Sequence, residues 1–211
     1  MRSLRFYTML IETAAKNGID VELLSNGLGP LKRKRAKKLA KKALSLCKSV
    51  SMRDDTSLTL ALSLGVEREK LSLADDLSSS ISAAEDSAVE QLISENSLDT
   101  KSFFLVGIKG KTKKSARKII EGEIKVQIAL GLTPVFVVMH AGEDKKISKK
   151  LSKKYSAPCL ENLSAEMLLA LAARSTLALG NRFHLLYLAK RQNIPIIPFG
   201  DDPKIISLKN E

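Results

Sequence analysis

Short apolar runs alternate with longer amphipathic stretches along nearly the whole chain. Two of these runs, SFFLVGI at 102–108 and PVFVVM at 134–139, are apolar at almost every position. Such runs are typical of strands that are buried on both faces of a parallel sheet. The residues between them, 113–130, predict a helix that ends at Gly131. The alternation of strand, loop and helix therefore predicts an α/β fold with parallel sheets covered by helices.

The same alternation extends to both sides of these runs and is interrupted once. The predicted strands are 19–25, 49–52, 70–74, 102–108, 134–139, 158–160, 176–179 and 194–199, and the predicted helices are 4–16, 31–47, 56–64, 113–130, 143–155, 164–174 and 183–192. Residues 77–99 are rich in Ser, Glu and Asp and contain no evident strand. We therefore predict two Rossmann-like blocks, 1–76 and 100–211, joined by a partly helical linker at 77–99.

The charge of the chain favours anionic partners. Its 211 residues carry a formal net charge of +12, which suits nucleic acid, anionic lipid or phosphorylated small molecules without choosing among them. The segment 32–42, KRKRAKKLAKK, has eight basic residues in eleven. A solvated helix face is the default interpretation of this segment, and contact with nucleic acid or a membrane surface is the alternative. The absence of Trp argues against a stacking platform for single-stranded nucleic acid.

Cysteine usage and hydropathy predict a cytoplasmic protein. Cys47 and Cys159 do not form a CxxC pair, so we expect two reduced thiols. The N-terminal segment lacks the apolar core of a signal peptide, and no run of about 18 apolar residues exists to span a bilayer. We hypothesise that the basic helices bring the protein to the inner face of an anionic membrane.

Polar side chains follow the predicted strands, at the edge where parallel α/β sheets bind their ligands. The segment LGNRFH at 179–184 places Arg182 and His184 on one side of an extended chain. The amides that open the next helix add an anion-binding element. A guanidinium beside an imidazole suits a phosphorylated or carboxylated substrate that requires proton transfer. A capped helix end at the surface is the alternative interpretation.

Other residues at strand ends are less specific. Arg53 precedes two aspartates that suit a helix start, His140 also suits a loop brace, and Lys204 lies in a turn into a helix. Lys109 is a candidate phosphate contact, although the spacing of a P-loop is missing. Two histidines and two separated cysteines form no metal-ligand motif, so we predict no metal.

An ordered set of short segments carries a family resemblance. The segments are GLGPL at 27–31, SMRDDTS at 51–57, LADD at 73–76, MH at 139–140 with Glu143 and Asp144, then Glu166, LGNRFH at 179–184, NIP at 193–195 and DPK at 202–204. In this order they resemble the polysaccharide pyruvyl transferase family. The resemblance implies two Rossmann-like lobes of the GT-B kind, with the active site between them.

The resemblance also implies a reaction and a set of site residues. The pyruvyl group of phosphoenolpyruvate would pass to a nucleotide- or lipid-linked sugar, and the resulting ketal is common on cell-wall polymers that anchor surface-layer (S-layer) proteins. The implied catalytic residues are His184 and Arg182, and the implied substrate-binding residues are Arg53, Lys204, His140 and Glu166. Phosphoenolpyruvate is a substrate, so no cofactor is expected, and no specific nucleic acid is expected either. Phe183 replaces the leucine that is usual in the family between Arg and His.

The resemblance also makes an expectation about length. The opening strands of the family's first lobe and its crossing C-terminal helix have no counterpart in this sequence. We therefore expect residues 1–76 to be the C-terminal part of the first lobe, and the chain to be shortened at both ends. Three alternatives remain open: a non-catalytic sugar- or nucleotide-binding remnant of the fold, a basic nucleic-acid-binding protein, and another GT-B-like enzyme such as a glycosyltransferase or sugar epimerase.

Overall fold

A computed structural model describes residues 2–200 and 202–210 and divides the chain into two compact units. The units are Met1–Ser80 and Ile81–Glu211. Each contains one parallel β-sheet with helices packed on it. The predicted α/β class with parallel sheets is therefore confirmed.

The first unit has a three-stranded sheet in the order β1-β2-β3. Its elements are α1 (Arg2–Lys16), β1 (Glu22–Asn26), α2 (Lys34–Leu46), β2 (Ser49–Met52), α3 (Asp55–Ser63) and β3 (Leu71–Leu73). The central strand carries Val50 and Met52, both fully buried, and they pack with Leu44 and Ala61 of the helices. The core of this unit therefore lies around β2.

The second unit has a five-stranded sheet in the order β6-β5-β4-β7-β8. Its strands are β4 (Phe103–Gly107), β5 (Thr133–Val137), β6 (Cys159–Leu160), β7 (Leu177–Gly180) and β8 (Ile196–Pro198). Its helices are α4 (Asp86–Glu95), α5 (Lys114–Ala129), α6 (Ala141–Tyr155), α7 (Ala165–Arg174), α8 (Phe183–Arg191) and α9 (Pro203–Asn210). The chain builds outward from β4 to β6 and then returns to add β7 on the other side. This reversal creates a switch point between β4 and β7, where α/β sheets bind ligands.

The continuous apolar run of β4 results from burial on both faces. All five of its residues are buried. Phe103 and Leu105 belong to the core layer with α7 and α8, whereas Phe104 and Val106 belong to the layer with α5 and α6. Because successive side chains of a strand point to opposite faces, β4 must be apolar at every position.

Residues 77–99 differ from the linker that the sequence suggested. A short 3₁₀ helix at Leu77–Ser80 ends the first unit, and α4 belongs to the second. Val89 and Ile93, four positions apart on α4, are buried in the core of the second unit together with Leu98. Within α4, acidic residues such as Glu90 and Glu95 lie on the exposed face.

The other predicted elements appear in the predicted order. The largest differences are in three elements: the run predicted at 19–25 forms a strand from Glu22, the helix predicted at 31–47 begins at Lys34, and the run at 194–199 forms a strand only at Ile196–Pro198. Within residues 2–200 and 202–210, no helix has both the length and the apolar character that crossing a bilayer requires.

Candidate functional site

Two glycines end the central strands of the second unit. Gly107 of β4 and Gly180 of β7 are register partners. Gly180 has φ +136, and a Cβ on it would lie 2.0 Å from the carbonyl oxygen of Gly107. Only glycine fits this position, because a side chain would need both an unfavourable φ and space that backbone occupies. The loops after β4 and β7 therefore start from nearly the same point.

Asn181 joins these two loops. Its Oδ1 accepts a hydrogen bond of 2.8 Å from the Lys109 N–H, and its Nδ2 donates one of 2.9 Å to Thr112 Oγ1. The Asn181 N–H also donates to the Gly107 carbonyl oxygen at 2.9 Å. Asn181 thus fixes the loop at 109–113 against the start of α8.

Asp144 joins three loops at the same edge of the sheet. It lies in the first turn of α6 and is fully buried. Its Oδ1 accepts from the Gly110 N–H at 3.1 Å, and its Oδ2 accepts from the His140 N–H at 3.0 Å. Oδ1 also accepts a hydrogen bond from Arg182 Nη2. A buried carboxylate requires this number of partners to offset the loss of water.

Arg182 is therefore committed to carboxylates of its own unit. Its side chain is only 18% exposed, and Nη2 also lies 3.4 Å from Glu143 Oε2. Glu143 in turn pairs with Lys111 at 3.1 Å. The hydrogen bond from Lys111 and the charge of Lys111 lower the pKa of Glu143, to which the charges of His140 and Arg182 contribute less. The role of Arg182 as a substrate clamp stays a prediction. The structure adds a second role, in which Arg182 forms ion pairs with Asp144 and Glu143.

The two histidines lie near this cluster and are both exposed. His184 lies in the first turn of α8, where its ring meets Phe183 edge-to-face with centroids 5.3 Å apart. Phe183 stacks on Tyr187 at 5.5 Å. His140 precedes α6 and is held by its backbone N–H to Asp144. Of the sequence-predicted site residues, His140 and Arg182 are thus brought together through Asp144.

Lys204 is linked to the loop after β4 through Asp202. Lys109 Nζ lies 3.0 Å from Asp202 Oδ2, and the Lys204 N–H donates to Asp202 Oδ1 at 3.2 Å. Partial burial raises the pKa of Asp202, but the hydrogen bonds and charges of Lys109 and Lys204 lower it by more, so this pKa lies below its ordinary value. The side chain of Pro203, the middle residue of the DPK motif, lies outside the described part of the chain.

A cleft of about 530 Å³ opens beside the switch point. Its volume is within the range of small-molecule sites. The cleft is lined by Lys109, Lys111, Thr112, Lys113, Ala116, Ile119, Asn181, Phe199, Gly200, Asp202 and Ile205. Sequence reasoning found Lys109 but missed Lys111 and Lys113. The signal that could have found them is the segment KGKTK at 109–113, directly after a buried strand.

Glu166 lies apart from this cluster. It is exposed in the first turn of α7, which follows the edge strand β6. Hydrogen bonds from its own backbone N–H and from the Ser164 hydroxyl lower the pKa of Glu166. Its carbonyl oxygen accepts from the Ala84 N–H at 3.1 Å. These contacts explain the helix start, and they do not join Glu166 to Arg182 or Lys204.

Arg53 belongs to the first unit and has carboxylate partners there. Its Nη1 lies 3.0 Å from Asp76 Oδ2, and its side chain is 11% exposed. Partial burial raises the pKa of Asp76, but hydrogen bonds from Ser78 and Arg53 lower it by more, so this pKa is below its ordinary value. A Cβ on Gly27 would lie 2.6 Å from Arg53 Nη2. Gly27 of the GLGPL segment therefore makes room for the guanidinium.

The model of the polysaccharide pyruvyl transferase family matches residues 1–203 of the chain. The chain belongs to the polysaccharide pyruvyl transferase family. The resemblance inferred from the ordered segments is thus confirmed. No curated protein matches the sequence of this family member.

Solved structures share the fold of this family member. The UDP-GlcNAc 2-epimerase of Methanocaldococcus jannaschii aligns with 97% of this chain and 66% of its own, at a TM-score of 0.63 and 14% identity. S. aureus MnaA in a co-structure with UDP aligns with 98% of this chain and 65% of its own, at a TM-score of 0.67 and 13% identity. Anabaena Alr3699/HepE in complex with UDP and glucose aligns with 92% of this chain and 56% of its own, at a TM-score of 0.57 and 12% identity. The family member spans less than two thirds of each of these chains, and the similarity supports a GT-B-type fold.

The family segments of the second unit meet in two clusters. Asp144 connects His140 with Arg182, and Asp202 connects Lys109 with Lys204. Asn181 bridges the two clusters through the loop at 109–113. The described residues contain no group of three or more His, Cys, Asp or Glu that could hold a metal ion. The chemistry available at this edge is therefore that of cations, carboxylates, two exposed imidazoles and backbone amides.

Proposed function

We propose that the protein transfers the pyruvyl group of phosphoenolpyruvate to a sugar of a cell-surface polysaccharide precursor and forms a ketal. The family match over residues 1–203 carries this proposal. The motif residues Arg182, His184 and Lys204 support it, because they follow the carboxyl ends of β7 and β8 in one α/β unit.

The chemistry of the donor defines what the site must do. An acid protonates the methylene carbon of phosphoenolpyruvate, which becomes the methyl group and leaves an oxocarbenium-like carbon. One sugar hydroxyl attacks that carbon and gives up its proton to a base. Phosphate then leaves, and a second sugar hydroxyl attacks, loses its proton and closes the ketal. One group that gains and loses protons near neutral pH can serve several of these steps.

His184 is the proposed acid and base. It is exposed at the start of α8, so a substrate can reach its imidazole. Arg182 precedes it, and its Nε is buried without a hydrogen-bond partner among the described residues. We assign Arg182 to holding the loop through Asp144 and to offering remaining N–H groups to the donor anion. Lys204 and Arg53 would neutralise further negative charge of the substrates, and His140 and Glu166 would contact them.

The acceptor is a nucleotide- or lipid-linked sugar in this proposal. UDP is present in the similar structures of S. aureus MnaA and Anabaena HepE, which favours the nucleotide-linked form. A lipid-linked acceptor would lie at a membrane, and the basic helix α2 suits contact with the anionic inner face of that membrane. Both forms place the reaction in the cytoplasm.

The test is turnover of the full polypeptide with phosphoenolpyruvate and nucleotide- or lipid-linked amino sugars. Phosphate release and ketal formation are measured together. We expect His184→Ala to lower kcat by about 10²–10⁴-fold, because a positioned acid or base contributes that much. His140→Ala is the comparison, since its imidazole is also exposed but is assigned only to substrate contact, and it is expected to change kcat less. Full turnover by His184→Ala contradicts the assignment.

A non-catalytic nucleotide-sugar-binding protein is the second candidate. The UDP-bound structures of similar fold favour it. Binding of UDP-sugars by the wild-type polypeptide, with no phosphate released from phosphoenolpyruvate for any acceptor tried, would select this candidate over the enzyme.

A further inference from the structure

The cleft beside β4 is lined by lysines that have no role in the proposed reaction. Lys109, Lys111 and Lys113 all line it, and all come from the loop at 109–113. Among the lining residues that the structure describes, Asp202 is the one carboxylate. Three lysines against this one carboxylate give the described lining a positive balance, which makes the cleft suitable for a multiply charged anion.

The three lysines differ in how firmly they are held. Lys109 pairs with Asp202 at 3.0 Å and is the least exposed of the three. Lys111 pairs with Glu143 at 3.1 Å, but its side chain is 85% exposed. Lys113 is exposed and has no ion pair within the described part of the chain. Lys111 and Lys113 can therefore turn toward a ligand at little cost, because exposed ion pairs are weak.

The backbone of this loop is fixed even though its lysine tips are not. Asn181 accepts from the Lys109 N–H and donates to Thr112 Oγ1. Gly110 packs so closely on α6 that a Cβ would lie 1.8 Å from the Glu143 carbonyl oxygen. A loop held at both places has little backbone entropy left to lose when a ligand binds in the cleft.

The cleft also has an apolar wall. Ala116 and Ile119 of α5, Phe199 after β8 and Ile205 of α9 contribute to it. Ile119 is 63% exposed, so its side chain offers apolar surface to a ligand in the cleft. The ligand that fits is therefore an anion with an attached ring or hydrocarbon chain.

We propose that this cleft binds the pyrophosphate linker of the activated sugar acceptor. The inference rests on the proposed function, since it assigns the acceptor to the loop at 109–113 and leaves His184 and Arg182 to the donor. Nucleotide-linked and lipid-linked sugars share the pyrophosphate group. The wall formed by Ile119 and Phe199 would contact the base of the first or the prenyl chain of the second.

The test is binding of inorganic pyrophosphate, UDP, geranyl pyrophosphate and phosphoenolpyruvate to the full polypeptide by calorimetry. The variants are Lys111→Gln, Lys113→Gln and the double substitution. Lys125→Gln is the matched control, because it removes the same charge from an exposed site on α5, about 18 Å along the helix from Lys113. Each single variant should weaken pyrophosphate binding about threefold and the double variant about tenfold, with phosphoenolpyruvate binding unchanged.

The outcomes separate this inference from the proposed reaction. Equal pyrophosphate affinity in the double variant and in Lys125→Gln overturns the cleft assignment, as does an equal loss of phosphoenolpyruvate affinity. Lysine-dependent pyrophosphate binding without phosphate release from phosphoenolpyruvate supports the cleft and rejects the reaction. Tighter binding of UDP than of geranyl pyrophosphate identifies a nucleotide-linked acceptor, and the reverse identifies a lipid-linked one.

Discussion

Arg182 and the lysines of the loop at 109–113 lie at one edge of the second unit but differ in what their charges do. Arg182 is 18% exposed and pairs with a fully buried carboxylate, whereas Lys111 is 85% exposed and pairs with a half-exposed one. The buried cation holds loops in place, because separating it from Asp144 would leave two desolvated charges. The exposed cations are available to a ligand. The positive residues at this edge therefore differ in how readily their charges can turn toward a ligand.

The first unit repeats the buried arrangement. Arg53 follows β2 and pairs with Asp76, which follows the neighbouring strand β3. Both arginines that the sequence suggested as substrate ligands thus have carboxylate partners within their own units. In both units, an arginine that follows a strand is therefore held by an ion pair with a carboxylate of the same unit.

Asp144→Ala tests the contrast between the buried and the exposed cations, and it is expected to have the largest effect on the free energy of unfolding. The substitution leaves the Arg182 charge and the N–H groups of Gly110 and His140 without their acceptor, and should lower the free energy of unfolding by about 3–5 kcal/mol. Urea denaturation measures the change. Glu143→Ala, which removes a more exposed partner of the same guanidinium, should cost less than about 1 kcal/mol. If both variants unfolded at the same urea concentration, Asp144 would not hold the loops.

An intermediate effect is expected from Gly110→Ala. The new methyl group would meet the Glu143 carbonyl oxygen, so the loop must shift, which should cost about 1–3 kcal/mol. Gly122→Ala on α5 is the control, because no atom lies within 4 Å of its Cβ position. That change should stabilise the protein by about 0.5–1 kcal/mol through helix propensity. Thermal unfolding of the two variants measures whether each substitution lowers or raises stability. If both substitutions stabilised the protein, the close packing of the loop on α6 would be contradicted.

The smallest effect is expected from Asp202→Asn. The pKa of Asp202 is lower in the folded state than the ordinary value of 3.8. Its ion pair therefore contributes stability that is fully present above that value and is lost as pH falls through the lowered pKa. Because the pair with Lys109 is partly exposed, the substitution should cost less than about 1 kcal/mol near pH 7. The cost should shrink as pH is lowered through the folded-state pKa of Asp202, as measured by the free energy of unfolding over an acid titration. A cost that persisted unchanged in acid would show that the carboxylate acts by shape and not by charge.

Particular residues show how far the sequence could predict this molecule. The apolar run at 103–107 predicted a buried parallel strand because alternation is lost only when both faces are covered. Arg182, His184 and Lys204 could be proposed because their motifs are contiguous. The helix α4 was missed as part of the core because its two buried residues are separated by polar ones.

The role of Asp144 depends on information that periodicity lacks. Its partners are Gly110, His140 and Arg182, which follow three different strands. Only the strand order β5-β4-β7 brings those strand ends side by side, and a local pattern does not encode strand order. Lys111 and Lys113 were missed for the same reason. The cleft that they line is completed by residues after β8, and the sequence pattern does not show that those residues lie nearby.

One oxygen atom of Asp144 serves both the loop of the lysines and the arginine. Oδ1 accepts from the Gly110 N–H and from Arg182 Nη2 at the same time. Any displacement of this carboxylate would therefore disturb the loop of the lysines and Arg182 together, so the position of one side chain sets the geometry of both halves of the site.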